Sequence, residues 1–175
     1  MKKYIKMLPV IFYPYFYVIY LACIFFMSGI NENLMDMVLD AVPVIAIIYN
    51  GYCLVIVIYN AVCTGRGNMT TKQVAKMNMI TKCVQIPAYI MHFVFGVLGF
   101  CMGLWGIGLL LWAIFIDLVT ICFTGINSIG CTVRMCKDEI FSKCVCVFMG
   151  IGSFVYCVDI VIAIVYFVKA RKKDY

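Results

Sequence analysis

Asp117 and Asp159 are the only charged side chains inside the long apolar runs of this 175-residue chain, and acids in such surroundings do a narrow range of chemistry. A carboxylate withdrawn from water must be stabilised by a proton, a cation or a hydrogen bond, so two at one depth can hold a proton or cation between them. Asp117 lies about 11 residues past Gly106 and Asp159 about 10 before Lys169. At 1.5 Å rise per residue both fall roughly 15 Å from a membrane interface, near the midplane. Each costs on the order of 2.5 to 3.5 kcal/mol to insert, against about 0.3 to 0.6 gained per Leu, Ile, Phe or Val, so they face protein or water and not lipid. The plainer alternative is that each hydrogen-bonds across a helix interface to Asn50, Asn60 or Thr120, contacts worth about 0.6 kcal/mol apiece.

His92 is the single histidine. No carboxylate lies at helical spacing from it, so it reads as an imidazole bonded to a neighbouring helix in preference to a titrating switch. The expected ion or substrate site is therefore Asp117 and Asp159, with His92, Asn50 and Asn60 as further polar members. The surroundings of the two acids are faintly alike: Gly106-Ile107-Gly108 precedes Asp117 as Gly150-Ile151-Gly152 precedes Asp159. In successive antiparallel spans this would be an inverted repeat of the kind that builds transporter sites, although in so Ile- and Gly-rich a chain coincidence explains it as well.

The 11 cysteines promise more than they support. Most are scattered through apolar runs, where free Cys behaves as a small hydrophobe. Cys131, Cys136, Cys144 and Cys146 cluster, but their spacing suits zinc poorly. No metal, cofactor or enzymatic motif is found, and neither a transporter nor a subunit needs one. Asn68-Met69-Thr70 matches a glycosylation sequon in a loop expected to face inward, where it has no use.

The elements that must position these groups follow from charge. All 14 Lys and Arg residues fall in four blocks, at 2–6, 66–82, 134–143 and 169–173, and the runs between them are long and apolar. With 66% apolar residues and a mean hydropathy of +1.06, the chain reads as an all-α integral membrane protein forming one domain over 1–175. The basic blocks sit in short membrane-edge loops, so nucleic acid is not expected as a partner. The lipid bilayer is, with a second copy of the chain or another membrane protein beside it.

Residues 8–27 form a first span of about 20 residues, longer than the apolar core of a secretory signal and lacking a cleavage site. Residues 41–63 form a second, with Pro43 in its first turn. The acidic loop between them holds Glu32, Asp36 and Asp40 but no basic residue, which places the N-terminus in the cytoplasm of a cell-membrane protein. Residues 83–131 would reach about 73 Å as one helix and must fold back. The glycines at 103, 106 and 108, around Trp105, supply the hinge. Spans three and four are then 86–102 and 107–129, a tight hairpin, and 144–168 makes a fifth.

This five-span bundle leaves Lys169 to Lys173 outside, against the positive-inside trend. A four-span alternative, crossing 83–131 once, misplaces Arg134 to Lys143 instead and carries a length mismatch of about 40 Å, so five spans are preferred. The Gly96, Gly99 and Gly103 face suits close helix approach. The tyrosines at 13, 15, 17 and 20 suit headgroup contact, and residues 70–82 read as a solvated basic connector. Pro14, within the first span, can kink it. Two functions compete: a small secondary transporter or ion-conducting protein, and a non-catalytic membrane subunit or assembly factor.

Overall fold

The computed structural model of the chain describes residues 5–27 and 32–172, except the side chains of 25, 27, 32–35, 37 and 38. Lys2, Lys3, residues 28–31 of the acidic loop and Lys173 lie outside the described residues. Within them the chain is helical, with no strand: α1 (Leu8–Met27), α2 (Glu32–Gly65), α3 (Thr71–Cys101), a 3-10 turn (Gly103–Gly106), α4 (Ile107–Lys137), α5 (Lys143–Gly152) and α6 (Val158–Lys172). Three stretches are long and apolar enough to cross a membrane, namely Leu39–Gly65, Thr71–Cys101 and Gly103–Lys137.

The expected hairpin forms between α3 and α4, and its glycines divide the work. Gly103 takes a φ of 60° in the turn, a conformation that costs a side-chain-bearing residue energy. Gly99 and Gly106 bring the backbones into contact, since a Cβ on Gly106 would stand 1.9 Å from the Gly99 carbonyl oxygen. Gly96 faces Leu110 and Ala113.

The connector expected at 70–82 is instead the start of α3. The Thr70 hydroxyl accepts a hydrogen bond from the Gln73 N–H and the Gln73 side-chain oxygen accepts one from the Thr70 N–H, a capping box that starts the helix there. Lys72 and Lys76 are exposed, while Val74 and Met77 are buried against protein. Lys82, counted with the loop charges, is buried in the helix interior. Similarly α2 starts at Glu32, so Pro43 sits inside a helix and not in its first turn. An acid at the first position favours that earlier start by offsetting the positive helix end.

The helix expected to run unbroken over 144–168 is interrupted at 153–157. It is replaced by α5, 10 residues or about 15 Å, and α6, 15 residues or about 22 Å, each shorter than the roughly 30 Å of a hydrocarbon core. Residues 153–157 between them turn the chain back. Along α5, Gly150 faces Thr132 and Phe154 lies against Gly125, so α5 descends beside α4 from the 138–142 turn. Along α6, Asp159 meets Lys82, Tyr166 meets Thr132, and Ala170 shares a cavity wall with Thr71. The start of α5 and the end of α6 thus lie at the same end of the bundle, and the 153–157 tip reaches about halfway down. The backbone N–H groups of 153, 154, 155, 158 and 159 all find carbonyls in this tight turn. With this fold-back, Arg66, Arg134, Lys143 and Lys169 gather toward one end of the bundle.

At that end Arg134 Nε lies 3.3 Å from Asp138, Thr71 donates to Asp138, and Lys137 donates to the Gly65 carbonyl at 2.8 Å. Lys6 lies over the Tyr59 ring, bringing the start of α1 to the same side. Met7, just before α1, and Val10, Tyr13 and Tyr17 of α1 form a core seam with Cys53 and Val57 of α2 and Phe123 of α4. Tyr13 and Tyr17 are therefore interior residues, not headgroup contacts. Pro14 lies within α1, which runs on past it without a break.

Candidate functional site

Asn78, Lys82, Gln85, Tyr89 and His92 recur along α3 at intervals of four and three residues, which puts them on one helix face. That face is buried and its polar groups must be answered by neighbours, because an unanswered charge in an apolar interior costs several kcal/mol. Two ionisable couples form. Lys82 Nζ donates to Asp159 Oδ2 at 2.8 Å with the side chains only 1% and 2% exposed. The same ammonium reaches the carbonyl of Ser153 at 3.4 Å.

Ser153 caps the C-terminus of α5 and Asp159 lies in the first turn of α6. The cation thus sits at the negative end of one helix and the anion at the positive end of the next, so both helix ends favour the pair. Lys82 pins the fold-back to α3.

The second couple is His92 Nδ1 with Asp117 Oδ1 at 2.6 Å. The ring is fully buried and meets Trp112 edge-on at 5.4 Å, while the Asp117 side chain is 16% exposed. Asp117 opens onto a cavity of about 300 Å³ lined by Phe100, Leu110 and Tyr156 among others. Between the couples stand Tyr89 and Tyr156, whose rings are 5.4 Å apart.

The five residues named from the sequence do not form one site. Asp117 and Asp159 do not bond each other; each has its own basic partner, which corrects the expected carboxylate pair. Asn50 serves the α1–α2 contact, accepting from Tyr13 at 2.7 Å and donating to Tyr17 at 2.7 Å. Asn60 donates to Asn127, which joins a cluster with Asn78 and Ser128. Neither Asn reaches a carboxylate. The inverted repeat also fails in three dimensions. Asp117 sits well inside an unbroken α4, whereas Asp159 starts a short helix after a break.

Five buried polar atoms of α3 lack a protein partner: Asn78 Nδ2, Thr81 Oγ1, Gln85 Oε1, Tyr89 Oη and His92 Nε2. Across from them the hydroxyls of Thr120, Thr124 and Ser128 bond back to their own helix. Among the described residues no group of three or more His, Cys, Asp or Glu side chains could hold a metal ion, and all 11 cysteines are free thiols.

Sequence alone hides Lys82 because it falls in the 66–82 block of loop charges, and hides the partner of His92 because that partner is on another helix. No protein-family model, curated protein or solved structure matches this chain.

Proposed function

We propose that this is a multi-pass membrane protein of four crossings, α1 to α4, with α5 and α6 entering and leaving through the same face, and that it moves protons or another small cation. We place the exchangeable site at His92 and Asp117 and give Lys82 and Asp159 the task of fixing the broken segment beside it. The observation that carries this reading is the His92–Asp117 contact of 2.6 Å, with its carboxylate open to a cavity at the tip of the fold-back. Imidazole can accept a proton at one nitrogen and release it at the other, and His92 Nε2 is itself one of the buried, unanswered polar atoms of α3. Broken helices and intramembrane acids are the usual materials of such pathways. The basic end faces the cytoplasm of a cell membrane under the positive-inside rule. The reading is of a transporter, not of an enzyme.

The test is proton flux in liposomes carrying the purified protein and an internal pH dye. Wild type should dissipate an imposed gradient, and Asp117→Asn or His92→Phe should slow it at least tenfold. Wild-type flux no faster than empty liposomes would remove the transport reading.

The second reading, a non-catalytic membrane subunit, is favoured by the near-complete sealing of Lys82 and Asp159 and by the apolar face that α2 leaves exposed at Val44, Ile47, Ile48 and Val55. That face would take a second copy or a partner helix, and its replacement by Ser should release the partner without altering flux.

A further inference from the structure

We infer that the groove between α4 and α5 is a binding site for one acyl chain of an anionic phospholipid, with Lys143 at its headgroup. The groove encloses about 680 Å³ and is walled by Ile129 and Val133 of α4 and by Val147 and Ile151 of α5, with Phe154 at its foot. Thr132, the polar wall residue, turns its hydroxyl to the Ser128 carbonyl and the Tyr166 hydroxyl, so the walls ask for no hydrogen bonds.

Length selects the occupant. From Lys143 to Phe154 the chain rises about 16 Å, which matches one leaflet, half of the roughly 30 Å hydrocarbon core. The foot is closed because the Phe154 ring lies against Gly125, where a Cβ would come within 2.6 Å of it. A spanning helix needs about 20 residues and would overrun a slot of half that depth. An acyl chain of the basic-side leaflet would not.

Charge selects the headgroup. Lys143 lines the mouth, is exposed, and makes no ion pair among the described residues. It opens α5, whose positive end points the same way, and a basic residue at this level attracts anionic lipid. The inference rests on the membrane placement proposed above and not on the chemistry of His92 and Asp117.

The experiment is native mass spectrometry of the detergent-solubilised protein with added phosphatidylglycerol or phosphatidylcholine of identical chains. Wild type should retain phosphatidylglycerol about fivefold better, the equivalent of about 1 kcal/mol for one lysine. Lys143→Gln should bring the two lipids to parity while leaving phosphatidylcholine retention unchanged. Gly150→Leu should fill the slot, since a Cβ there meets only Thr132 at 3.8 Å, and should cut retention of both lipids at least fivefold. Equal retention by wild type, retention unaffected by Gly150→Leu, or loss of a dimer in place of lipid would each overturn the inference. Failure of the flux assay would leave these results standing, and failure here would leave flux untouched.

Discussion

Replacing Asp159 by Asn leaves the Lys82 ammonium facing a neutral amide in a position 1% exposed to solvent. Removing one member of a buried ion pair costs about 3 to 5 kcal/mol, mostly because the remaining charge loses its partner and cannot regain water. For a chain of this length about 2 to 4 °C of melting temperature accompanies each kcal/mol, so Asp159→Asn should lower it by about 6 to 20 °C. Lys82→Met should cost a similar amount by stranding the carboxylate. The double replacement Lys82→Met with Asp159→Leu strands nothing, and buried pairs exchanged for apolar residues are often neutral or gain stability. It should therefore melt near wild type, giving a coupling of at least about 3 kcal/mol between the sites. Heating in detergent followed by size-exclusion detection of the remaining folded protein measures wild type and these three variants, with Asp159→Leu alone added to close the cycle. Singles within about 1 kcal/mol of wild type, or a double whose loss is the sum of the singles, would refute the argument that this pair holds the fold-back.

Gly106→Ala should open the α3–α4 hairpin and abolish the folded peak in the same assay, because its Cβ would meet the Gly99 carbonyl at 1.9 Å. Gly51→Ala, with nothing within 4 Å of the added carbon, is its control and should be neutral or stabilising by up to about 1 kcal/mol. Cys157 holds a φ of 64° at the tip between α5 and α6, so Cys157→Gly should raise stability by about 1 kcal/mol and Cys157→Val should lower it. Asn60→Leu removes one contact to Asn127 and should cost only about 0.6 kcal/mol, the usual worth of an interhelical hydrogen bond in a membrane.

The hairpin was readable because glycines at 103 and 106 are consequences of local backbone geometry, and local geometry is written in neighbouring residues. The same hinge held an unread clue. His92 and Asp117 stand equally far on either side of it, so an antiparallel hairpin must place them at one depth. The capping pair Thr70 and Gln73 and the regular spacing of Asn78, Lys82, Gln85, Tyr89 and His92 together mark Lys82 as part of a helix face, yet counting charges by block hid it among Arg66, Lys72 and Lys76. The fold-back was visible only as a contradiction: Lys169 to Lys172 on the wrong side in a five-span chain. Length and apolarity alone cannot distinguish one crossing from two half-crossings, since both present the same run of Val, Ile and Cys. What separates them is the run of long-range contacts along α6, from Asp159 on Lys82 through Tyr166 on Thr132 to Ala170 beside Thr71, which returns the helix toward the end where α5 began.

A pair of reporter fusions tests the topology on which the account depends. One reporter is placed in the 66–70 loop and the other after Tyr175, and each is scored for cytoplasmic or external activity in intact cells. The fold-back predicts both on the same side, and the orientation proposed above makes that side the cytoplasm. A carboxyl-terminal reporter on the opposite side from the loop reporter would mean that residues 143–172 cross the bilayer outright, and the arrangement of α5, α6 and the Lys82–Asp159 pin described above would be wrong.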